Sequence, residues 1–526
     1  VNLTSSNLPI VIINTNGQEI IDDPKITADM AIIFNGAGVR NNITDVPNHY
    51  NGKIGIEIRG KSSQMFPMKS YGLELWDNNG KSIEKSLFGM PKESDWILYA
   101  PYTDKTLMRN FLAYTMSREL GHWASRCMYV EVIINGDYRG VYVFMEKIKR
   151  VNGRLGTTKM SATDISGDAV TGGYIIKIDK KDPDDDGWWS NYPAANSAKV
   201  PAIEFLYEYP KAEDIAEAQK QYIKNYVDSF ETALNGKDFQ DAGKGFRKFA
   251  DEISFIDYFL VNEISRNIDG YRLSTFLFKD RQSKGGKLNA GPVWDYDLAF
   301  RNADYCSGSS ISGWAYHFNN VCPGDFWQIP FWWDRLLKDS NFVKNLRARW
   351  FEKRTNSLSE TRFVQLIDSI NTLVSEAQQR HFTRWPVLGQ YIWPNPQPIP
   401  NSYAEEITTL KNWISQRLSW IDDNLPKVIP PDTWPLGTPG TMLVKIYPNP
   451  LPDKDATVRI HSRVDQVVHL QVVDLSGRVV FAAIYDVKKG FNNIHIDRRR
   501  WVRGGIYFFR FSNNSGEKLV EKIIKE

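Results

Sequence analysis

The stretch PKVIPPDTWPLGTPG (residues 426–440) divides this chain of 526 residues into two parts of unequal length. It contains five prolines and two glycines, and its apolar residues follow neither the helical nor the strand period. Proline restricts the backbone and lacks an amide donor, so this composition is typical of an extended linker. We therefore predict a large domain over residues 1–428, a proline-rich linker over 429–440 and a small domain over 441–526.

The small domain is predicted to be a β-sandwich. Apolar and polar residues alternate along seven short segments, and turn residues separate each segment from the next. These segments cover residues 444–447, 456–460, 467–474, 479–485, 491–496, 505–511 and 517–524. Seven short strands in such a stretch are typical of two packed antiparallel sheets.

The large domain begins with predicted strands. Apolar residues recur at every second position over residues 54–58 and 71–75, which predicts a hairpin. The dipeptide Asn135-Gly136 predicts a second hairpin between the apolar segments that flank it. We expect these strands to form a β-rich region over about residues 1–150.

Helical periodicity governs the later part of the large domain. A first helix is predicted over residues 105–120, with Gly121 as its end. Five further helical patterns cover residues 215–234, 252–264, 332–355, 359–380 and 403–424. The fold class is therefore α+β, with a β-rich N-terminal lobe and a mostly helical C-terminal lobe over about residues 210–428.

Charge and hydropathy exclude two classes of partner. The chain carries 65 basic and 62 acidic residues, a net charge of +3, so it lacks the strong positive field of nucleic-acid-binding proteins. No apolar run approaches the roughly 20 residues that cross a bilayer. We expect neither nucleic acid binding nor a transmembrane segment.

The three cysteines, Cys127, Cys306 and Cys322, do not have the spacing of a zinc site. Buried structural thiols are one interpretation. Cys306 and Cys322 lie in a stretch rich in glycine and serine, and a disulfide between them is the alternative if the protein works outside the cell.

Two aspartates follow a predicted hairpin with strands over residues 274–279 and 291–294. Asp295 and Asp297 are one residue apart, so both carboxylates can lie at one strand end. Mg²⁺ is commonly bound by one or two carboxylates together with phosphate oxygens. The alternative is a solvated turn, in which aspartate is also common.

Two further residues fit the chemistry of phosphoryl transfer. Asp269 follows a predicted helix and could orient a substrate hydroxyl, although Asp269-Gly270 could equally be the turn that ends the helix. Lys69 enters a predicted strand after the small-residue loop 59–63, where a lysine can contact nucleotide phosphates. A lysine on a strand can also simply be solvated.

Several motifs, taken together in their order along the chain, resemble the CotH kinase family, which is named after spore coat protein H. These motifs are Arg59-Gly60-Lys61-Ser62-Ser63, Phe66-Pro67-Met68-Lys69-Ser70-Tyr71, Arg109-Asn110, Gly140-Val141-Tyr142 with Glu146-Lys147, Gly172-Gly173-Tyr174 with Asp179, Asn262-Glu263, Asp269-Gly270-Tyr271-Arg272 and Trp294-Asp295-Tyr296-Asp297-Leu298. The resemblance covers about residues 8–425.

This resemblance implies an atypical protein-kinase-like domain with two lobes, which uses ATP with Mg²⁺ or Mn²⁺ to phosphorylate Ser or Thr of a protein. By position, Asp269 would be the catalytic carboxylate, and Asp295 with Asp297 would bind the metal. The residues that the resemblance places at ATP are Arg59, Ser62, Lys69, Arg109 and Glu146.

The small domain resembles a second family, the type A sorting domain of proteins exported by type IX secretion. The matching motifs are Ile446-Tyr447-Pro448-Asn449-Pro450, Val473-Asp474-Leu475-Ser476-Gly477-Arg478 and Gly504-Gly505-Ile506-Tyr507. The resemblance implies that the type IX secretion machinery is a partner and that the protein is secreted or held on the outer cell surface.

Two functions remain open from the sequence. The first is a secreted or surface kinase of the type described. The second is a non-catalytic adhesin or polymer-binding protein built on a kinase-like domain. Aromatic clusters such as Trp188-Trp189, Phe326-Trp327 and Phe331-Trp332-Trp333 could stack on sugar rings or on a partner, or they could belong to the core, where such clusters are more often found.

Overall fold

The computed structural model describes residues 1–195, 203–427, 442–451, 455–497 and 504–525. The chain forms two compact units, Val1–Ile429 and Pro430–Glu526. The predicted linker over residues 429–440 lies outside the described residues.

The first unit starts with strands and continues with a mixture of strands and helices, as the sequence predicts. Its strands are β1 (Ser5–Ser6), β2 (Ile10–Asn14), β3 (Ile26–Ile33), β4 (Asn41–Asn42), β5 (Tyr50–Arg59), β6 (Ser70–Trp76), β7 (Asp95–Tyr99), β8 (Cys127–Ile134), β9 (Asp137–Glu146), β10 (Tyr174–Ile178), β11 (Gly187–Trp189), β12 (Glu204–Tyr209), β13 (Thr275–Lys279) and β14 (Leu288–Ala290). Its helices are α1 (Arg109–Glu119), α2 (Glu217–Asn235), α3 (Glu252–Ser265), α4 (Phe318–Val321), α5 (Trp332–Leu336), α6 (Ser340–Arg354), α7 (Glu360–Leu373), α8 (Ala377–Arg384) and α9 (Tyr403–Asn424).

The N-terminal strands close into a barrel in the order β2-β3-β5-β6-β7-β9-β8. Both predicted hairpins are confirmed, since β5 pairs with β6 and β8 pairs with β9. Closure was not predicted, and it depends on a parallel pair between β2 and β8, in which Ile10 lies opposite Glu131. Alternate side chains such as Ile54, Ile56 and Leu73 fill the barrel interior.

Helix α1 begins at Arg109, four residues later than predicted. The carboxylate of Asp104 accepts hydrogen bonds from the backbone N–H groups of Thr106 and Arg109, at 3.1 and 2.8 Å. Leu107 has a positive φ of 65°, so this segment is a turn and not the first turn of the helix. The helix packs against α3 and α7, and it therefore joins the core of the helical part.

Two of the long helices predicted from the sequence are each divided into two shorter helices in the structure. The pattern over residues 332–355 is divided into α5 and α6, because Asp339 caps α6 by accepting a hydrogen bond of 2.8 Å from the N–H of Asn341. The pattern over 359–380 is divided into α7 and α8. The pattern over 403–424 is confirmed without change as α9.

A second sheet of the first unit has the strand order β11-β12-β10-β13-β14. The partner of β13 is Leu288–Ala290, so the prediction of a strand over residues 291–294 was wrong. Pro292 has no backbone N–H to give to a sheet, which explains why pairing ends before it. Residues 291–296 therefore run as an irregular segment out of the sheet.

The second unit contains the seven predicted strands. They are β15 (Met442–Tyr447), β16 (Ala456–Ser462), β17 (Gln466–Asp474), β18 (Val479–Val487), β19 (Gly490–Ile496), β20 (Gly505–Asn513) and β21 (Lys518–Lys525). They form an antiparallel sheet in the order β15-β16-β19 and another in the order β18-β17-β20-β21. Apolar residues of both sheets, among them Val458, Leu470 and Phe509, form one core, as expected for a sandwich.

Cys306 and Cys322 form a disulfide, with Cα atoms 5.7 Å apart, so the second interpretation of these cysteines is the correct one. Cys127 is a free thiol on β8. Within the described ranges, no helix combines the length and the apolar character needed to cross a membrane.

Candidate active site

Asp269 lies in a turn that follows α3. The helix ends at Arg266, whose φ of 45° takes the chain out of the helix three residues before Asp269. The next turn is tight, because a Cβ at Gly270 would lie 2.5 Å from Oδ1 of Asn262. Asp269 is therefore not the residue that ends the helix, and its side chain keeps 22% of its surface exposed.

Arg272 holds the carboxylate of Asp269. Its Nη2 donates to Oδ1 of Asp269 at 2.8 Å, and its Nη1 donates to Oδ1 of Asp325 at 3.2 Å. The guanidinium also lies 4.0 Å from the centre of the Phe318 ring. Because only 2% of the Arg272 side chain is exposed, its position is fixed by packing, and it fixes Asp269 in turn.

Helices α1 and α3 hold the segment that carries the other two carboxylates. Oδ1 of Asn110 accepts from the N–H of Tyr296 at 2.6 Å, and the hydroxyl of Tyr114 accepts from the N–H of Asp295 at 3.2 Å. The hydroxyl of Tyr296 donates to Oδ1 of Asn262 on α3 at 2.9 Å. Asp295 itself has a φ of 62°, a conformation that aspartate adopts more readily than most residues.

The side chains of Asp295 and Asp297 interact closely enough for each to affect the pKa of the other. Loss of solvation, followed by the charges of Asp269 and Asp179, raises the pKa of Asp295 to about 6. Loss of solvation, followed by the charges of Asp295 and Asp269, raises the pKa of Asp297 well above its usual range. The side chain of Asp295 is nevertheless exposed. The carboxylates of Asp179, Asp269, Asp295 and Asp297 therefore form one group, and we refer to the region around them as the cleft.

Arg59, at the end of β5, is the basic residue whose charge lowers the pKa of Asp295. Its guanidinium lies 5.7 Å from the centre of the Trp294 ring, at the start of the acidic segment. The barrel therefore contributes a cation to the cleft in which Asp269, Asp295 and Asp297 meet. Arg59 is one of the residues predicted to bind the nucleotide, and its charge acts directly on Asp295 in this structure.

Asp179 is a fourth carboxylate of this group, and no role was predicted for it. It follows β10, the strand next to β13, and the N–H of Lys180 donates to its Oδ1 at 2.9 Å. Loss of solvation raises the pKa of Asp179, and its charge contributes to the raised pKa of Asp295. The signal in the sequence was its place in the family motifs, directly after an apolar strand.

The loop after β5 contacts the segment after β10. Nζ of Lys180 donates to Oγ of Ser62 at 2.8 Å and lies 5.3 Å from the centre of the Trp327 ring. Lys61 forms an ion pair of 2.9 Å with Asp182. These contacts join the barrel to the second sheet at one side of the cleft.

Lys69 contacts the same loop, which lies between β5 and β6. Its Nζ donates to the backbone carbonyl of Gln64, in the short 3-10 helix Ser62–Met65. Its own carbonyl accepts from the hydroxyl of Tyr142 on β9 at 3.0 Å. The side chain is half-buried, and its predicted contact with ATP phosphates stays a prediction.

Arg109 and Glu146 belong to buried ion pairs. Arg109 pairs with Asp104 and donates to the carbonyl of Phe300, and 3% of its surface is exposed. Glu146 accepts hydrogen bonds of 2.8 and 2.6 Å from the guanidinium of Arg126 and is fully buried. This geometry places both residues in the frame around the cleft, so a contact of either with the nucleotide stays a prediction.

The carboxylates have the donor chemistry of a magnesium or manganese site, although an incomplete one. In the part of the chain that the structure describes, no group of three or more His, Cys, Asp or Glu side chains is arranged to hold a metal ion. Mg²⁺ characteristically takes one or two carboxylates and completes its shell with water and substrate phosphates. The pair Asp295 and Asp297 fits that pattern, because the two carboxylates interact with each other and the charge of Asp269 acts on both.

Comparison with known proteins agrees with the motifs. Residues 56–421 match the family described as CotH kinase protein. Residues 445–526 match the secretion system C-terminal sorting domain, which indicates export by the type IX machinery to the outer surface or beyond. No curated protein matches the chain.

Among solved structures, the chain is similar to dimeric latent PorU from Porphyromonas gingivalis, with 24% identity and a TM-score of 0.15. The similarity covers 17% of this chain and 10% of that protein. The family match is far more extensive, since it includes the barrel from β5 onward, the helices up to α9 and all four cleft carboxylates. The chain therefore belongs to the CotH kinase protein family.

Proposed function

We propose that this protein is an exported atypical kinase that transfers the γ-phosphoryl group of ATP to a Ser or Thr hydroxyl of a protein. The observation that supports this most strongly is the meeting of Asp269, Asp295, Asp297 and Arg59 at one cleft. These residues come from β5, from the turn after α3 and from the segment after β14, so only the fold brings them together. In this proposal the barrel is the N-terminal lobe of a kinase-like domain and the helical part is the C-terminal lobe.

Asp269 is the residue that would accept the proton of the substrate hydroxyl. Its carboxylate is partly exposed, and one of its oxygens is held by Arg272, so the group has both access and a fixed orientation. A positioned carboxylate of this kind contributes about 10²- to 10⁴-fold to the rate of a proton-transfer step. Positioning is the main requirement for phosphoryl transfer, because the protein forms few new covalent bonds.

Asp295 and Asp297 would hold Mg²⁺ or Mn²⁺, and Arg59 would contact the phosphates from the barrel side. When bound, the metal supplies positive charge to the phosphoryl oxygens. Asp179 would contribute a further carboxylate to the same ion or to its water ligands. Ser62 and Lys69 belong to the loop above, whose backbone N–H groups would cover the phosphates.

The adhesin alternative receives less support. It requires exposed aromatic clusters, but three of the seven rings that suggested it are core residues: Trp188, Trp332 and Trp333 are 6%, 1% and 2% exposed. Trp189 is exposed beside the buried Trp188, and the exposed ring of Phe326 packs edge to face against Trp327, with the ring centres 5.2 Å apart.

The test is incubation of the purified protein with radiolabelled ATP and Mg²⁺ or Mn²⁺, with self-labelling and a serine-rich protein as readouts. We expect Asp269→Asn and Asp295→Asn each to lower labelling by about 100-fold or more. Glu213→Gln, an exposed carboxylate near the start of α2, is the matched control and should leave labelling unchanged. If the intact protein neither binds ATP nor transfers label with either metal, the proposal is wrong.

A further inference from the structure

The disulfide between Cys306 and Cys322 links two segments that both contact the surroundings of Asp269. The first segment covers residues 304–313 and follows the acidic segment of the candidate active site. The second segment covers residues 318–328 and includes α4. Because the two cysteines are 16 residues apart in the chain, the bond restricts how far these two segments can move from each other.

The segment of Cys322 holds Arg272, the residue that orients the carboxylate of Asp269. Nη1 of Arg272 donates to Oδ1 of Asp325 at 3.2 Å and to the carbonyl of Trp327 at 3.3 Å. Cys322 lies just before these partners, and its carbonyl accepts from the N–H of Asp325 at 3.1 Å. The position of Cys322 therefore helps to set the position of the groups that hold Arg272.

The segment of Cys306 contacts the end of α3 and the turn that follows it. Nε of Arg266, the residue at which α3 ends, donates to the carbonyl of Ser307 at 3.0 Å. Tyr305, directly before Cys306, lies close enough to Asp269 to interact with its charge, since loss of solvation and then that charge raise the pKa of Tyr305. Both ends of the disulfide are therefore coupled to the same turn.

The backbone at Cys306 is held in an unfavourable conformation. Cys306 and Ser307 have φ values of 49° and 58°, a region that residues other than glycine rarely adopt. Such residues keep this conformation only where surrounding contacts enforce it. Here the disulfide and the hydrogen bond from Arg266 are two of these contacts. Opening of the disulfide removes one of them, so we expect the segment to relax away from the turn.

We propose that the disulfide between Cys306 and Cys322 is a redox switch that positions Asp269 for phosphoryl transfer. The disulfide form holds both segments against the turn, and the dithiol form releases them and lowers the rate. This inference rests on the proposed kinase function. Disulfides are rare inside the cell and persist outside it, so the protein would reach its full rate only after export.

The change between the two forms is thiol–disulfide exchange. A dithiol reductant supplies two electrons and two protons, the bond between the two sulfurs breaks to give two thiols, and the reductant leaves as its own disulfide. A disulfide oxidant drives the reverse reaction, in which the two thiols lose two electrons and two protons and the oxidant leaves as two thiols. No other group of the site changes its oxidation state.

The test is single-turnover transfer and ATP titration of the full chain, before and after reduction with dithiothreitol. Mass spectrometry after alkylation confirms reduction, because the number of free thiols rises from one to three. We expect reduction to lower transfer by at least about 10-fold and to change ATP affinity by less than about twofold, since a misplaced catalytic group slows the chemical step. Oxidation with glutathione disulfide should restore the rate.

Two variants provide the controls. Cys306→Ser/Cys322→Ser should transfer at the rate of the reduced protein and should not respond to dithiothreitol. Cys127→Ser should respond as the parent protein does, because burial raises the pKa of Cys127 to about 12 and keeps its thiol unreactive. The proposal is overturned if the reduced protein transfers as fast as the oxidised one, or if ATP affinity falls as much as the rate. Reversible reduction of the parent protein decides the matter even if the double serine variant does not fold.

Hydrogen exchange tests the release of the turn without any assay of activity. The N–H groups of Arg272 and Leu273 donate to the carbonyl of Asp269 at 3.3 and 2.9 Å. We expect both to exchange faster after reduction, while β9 of the barrel exchanges at the same rate. Equal exchange at the turn in both forms overturns the switch. Faster exchange at the turn in a protein that transfers no label in either form supports the release of the turn and overturns the kinase proposal alone.

Discussion

The guanidinium of Arg272 donates a hydrogen bond of 2.8 Å to the carboxylate of Asp269, three residues before it in the chain. The same guanidinium is held by Asp325 and by the ring of Phe318. Asp269 is therefore oriented by a buried group that makes its own contacts with a different part of the fold.

We predict that Arg272→Lys lowers phosphoryl transfer about 10- to 100-fold without abolishing ATP binding. Lysine keeps the charge but cannot reach Asp269 and Asp325 with separate donors in one plane. The measurements are single-turnover transfer and ATP titration. Arg335→Lys, another partly buried arginine with backbone partners on α2, is the control and should leave transfer unchanged. Equal loss of ATP binding and of transfer in Arg272→Lys would contradict a positioning role.

Asp295→Asn is predicted to abolish transfer and yet to raise stability slightly at pH 7. The pKa of Asp295 is raised to about 6, so its charged form is disfavoured in the folded protein at neutral pH. Asparagine removes that charge and the repulsion from Asp269 and Asp179. Because the side chain is exposed, the expected gain is at most about 1 kcal/mol. Thermal unfolding in the absence of metal measures this gain in stability. A midpoint below that of the parent protein would contradict the prediction.

Glu231 makes the stability of the folded protein depend on pH, and this effect is separate from the candidate active site. It is buried on α2, where it accepts hydrogen bonds from Ser190 and Trp332, and burial raises its pKa to about 7. The folded protein therefore holds this proton more tightly than the unfolded chain does. The stability that this group contributes is complete below about pH 4.5 and is lost as the pH rises through about 7.

We accordingly expect Glu231→Gln to be more stable than the parent protein at pH 8, by about 2–3 kcal/mol, and nearly equal to it at pH 5. Urea unfolding at the two pH values measures the difference. Glu213→Gln, on the exposed surface near the same helix, should show no pH-dependent change. A constant difference at both pH values would mean that the effect comes from packing and not from the proton.

Loss of the disulfide between Cys306 and Cys322 is predicted to destabilise the first unit by about 3 kcal/mol, the cost expected for a loop of this length. Urea unfolding of Cys306→Ser/Cys322→Ser, compared with the oxidised parent protein, measures this loss. Cys127→Ser serves as the control, since Cys127 is free. An unchanged midpoint would show that the disulfide adds no constraint to the unfolded chain.

Deletion of residues 430–526 is predicted to leave ATP affinity unchanged and to prevent export. The second unit has its own core, and the match to the sorting domain lies wholly within it. ATP titration of the shortened protein and its distribution between cells and medium are the measurements. A shortened protein that is still exported would contradict the role of this unit as the export signal.

The sequence predicted the features that depend on local patterns. The hairpins of the barrel, helix α9 and the seven strands of the second unit follow from alternation, turn residues and caps, all within short stretches. Closure of the barrel could not be predicted in this way, because β2 and β8 are more than 100 residues apart and pair in parallel. The strand predicted over residues 291–294 failed because its apolar residues pack in the core while Pro292 prevents pairing.

In the candidate site, too, the features that follow from local patterns were predicted, and those that depend on the fold were not. Asp269, Asp295 and Asp297 could be identified from motifs, and the structure adds that Asp295 and Asp297 are desolvated and that the charge of Asp269 acts on both. Asp179 and Arg272 both stand in the family motifs, but their roles were not predicted. The contacts that define these roles, such as that of Arg272 with Asp325, depend on which segments the fold brings alongside.

The closed barrel limits aggregation of the protein outside the cell. A ring of strands has no first or last member, so it presents no free backbone on which a second chain can add a strand. The five-stranded sheet of the first unit ends in β11 and β14, each only three residues long. Short edges of this kind give another chain little to pair with. Both features protect the first unit of an exported protein from aggregating through these two sheets.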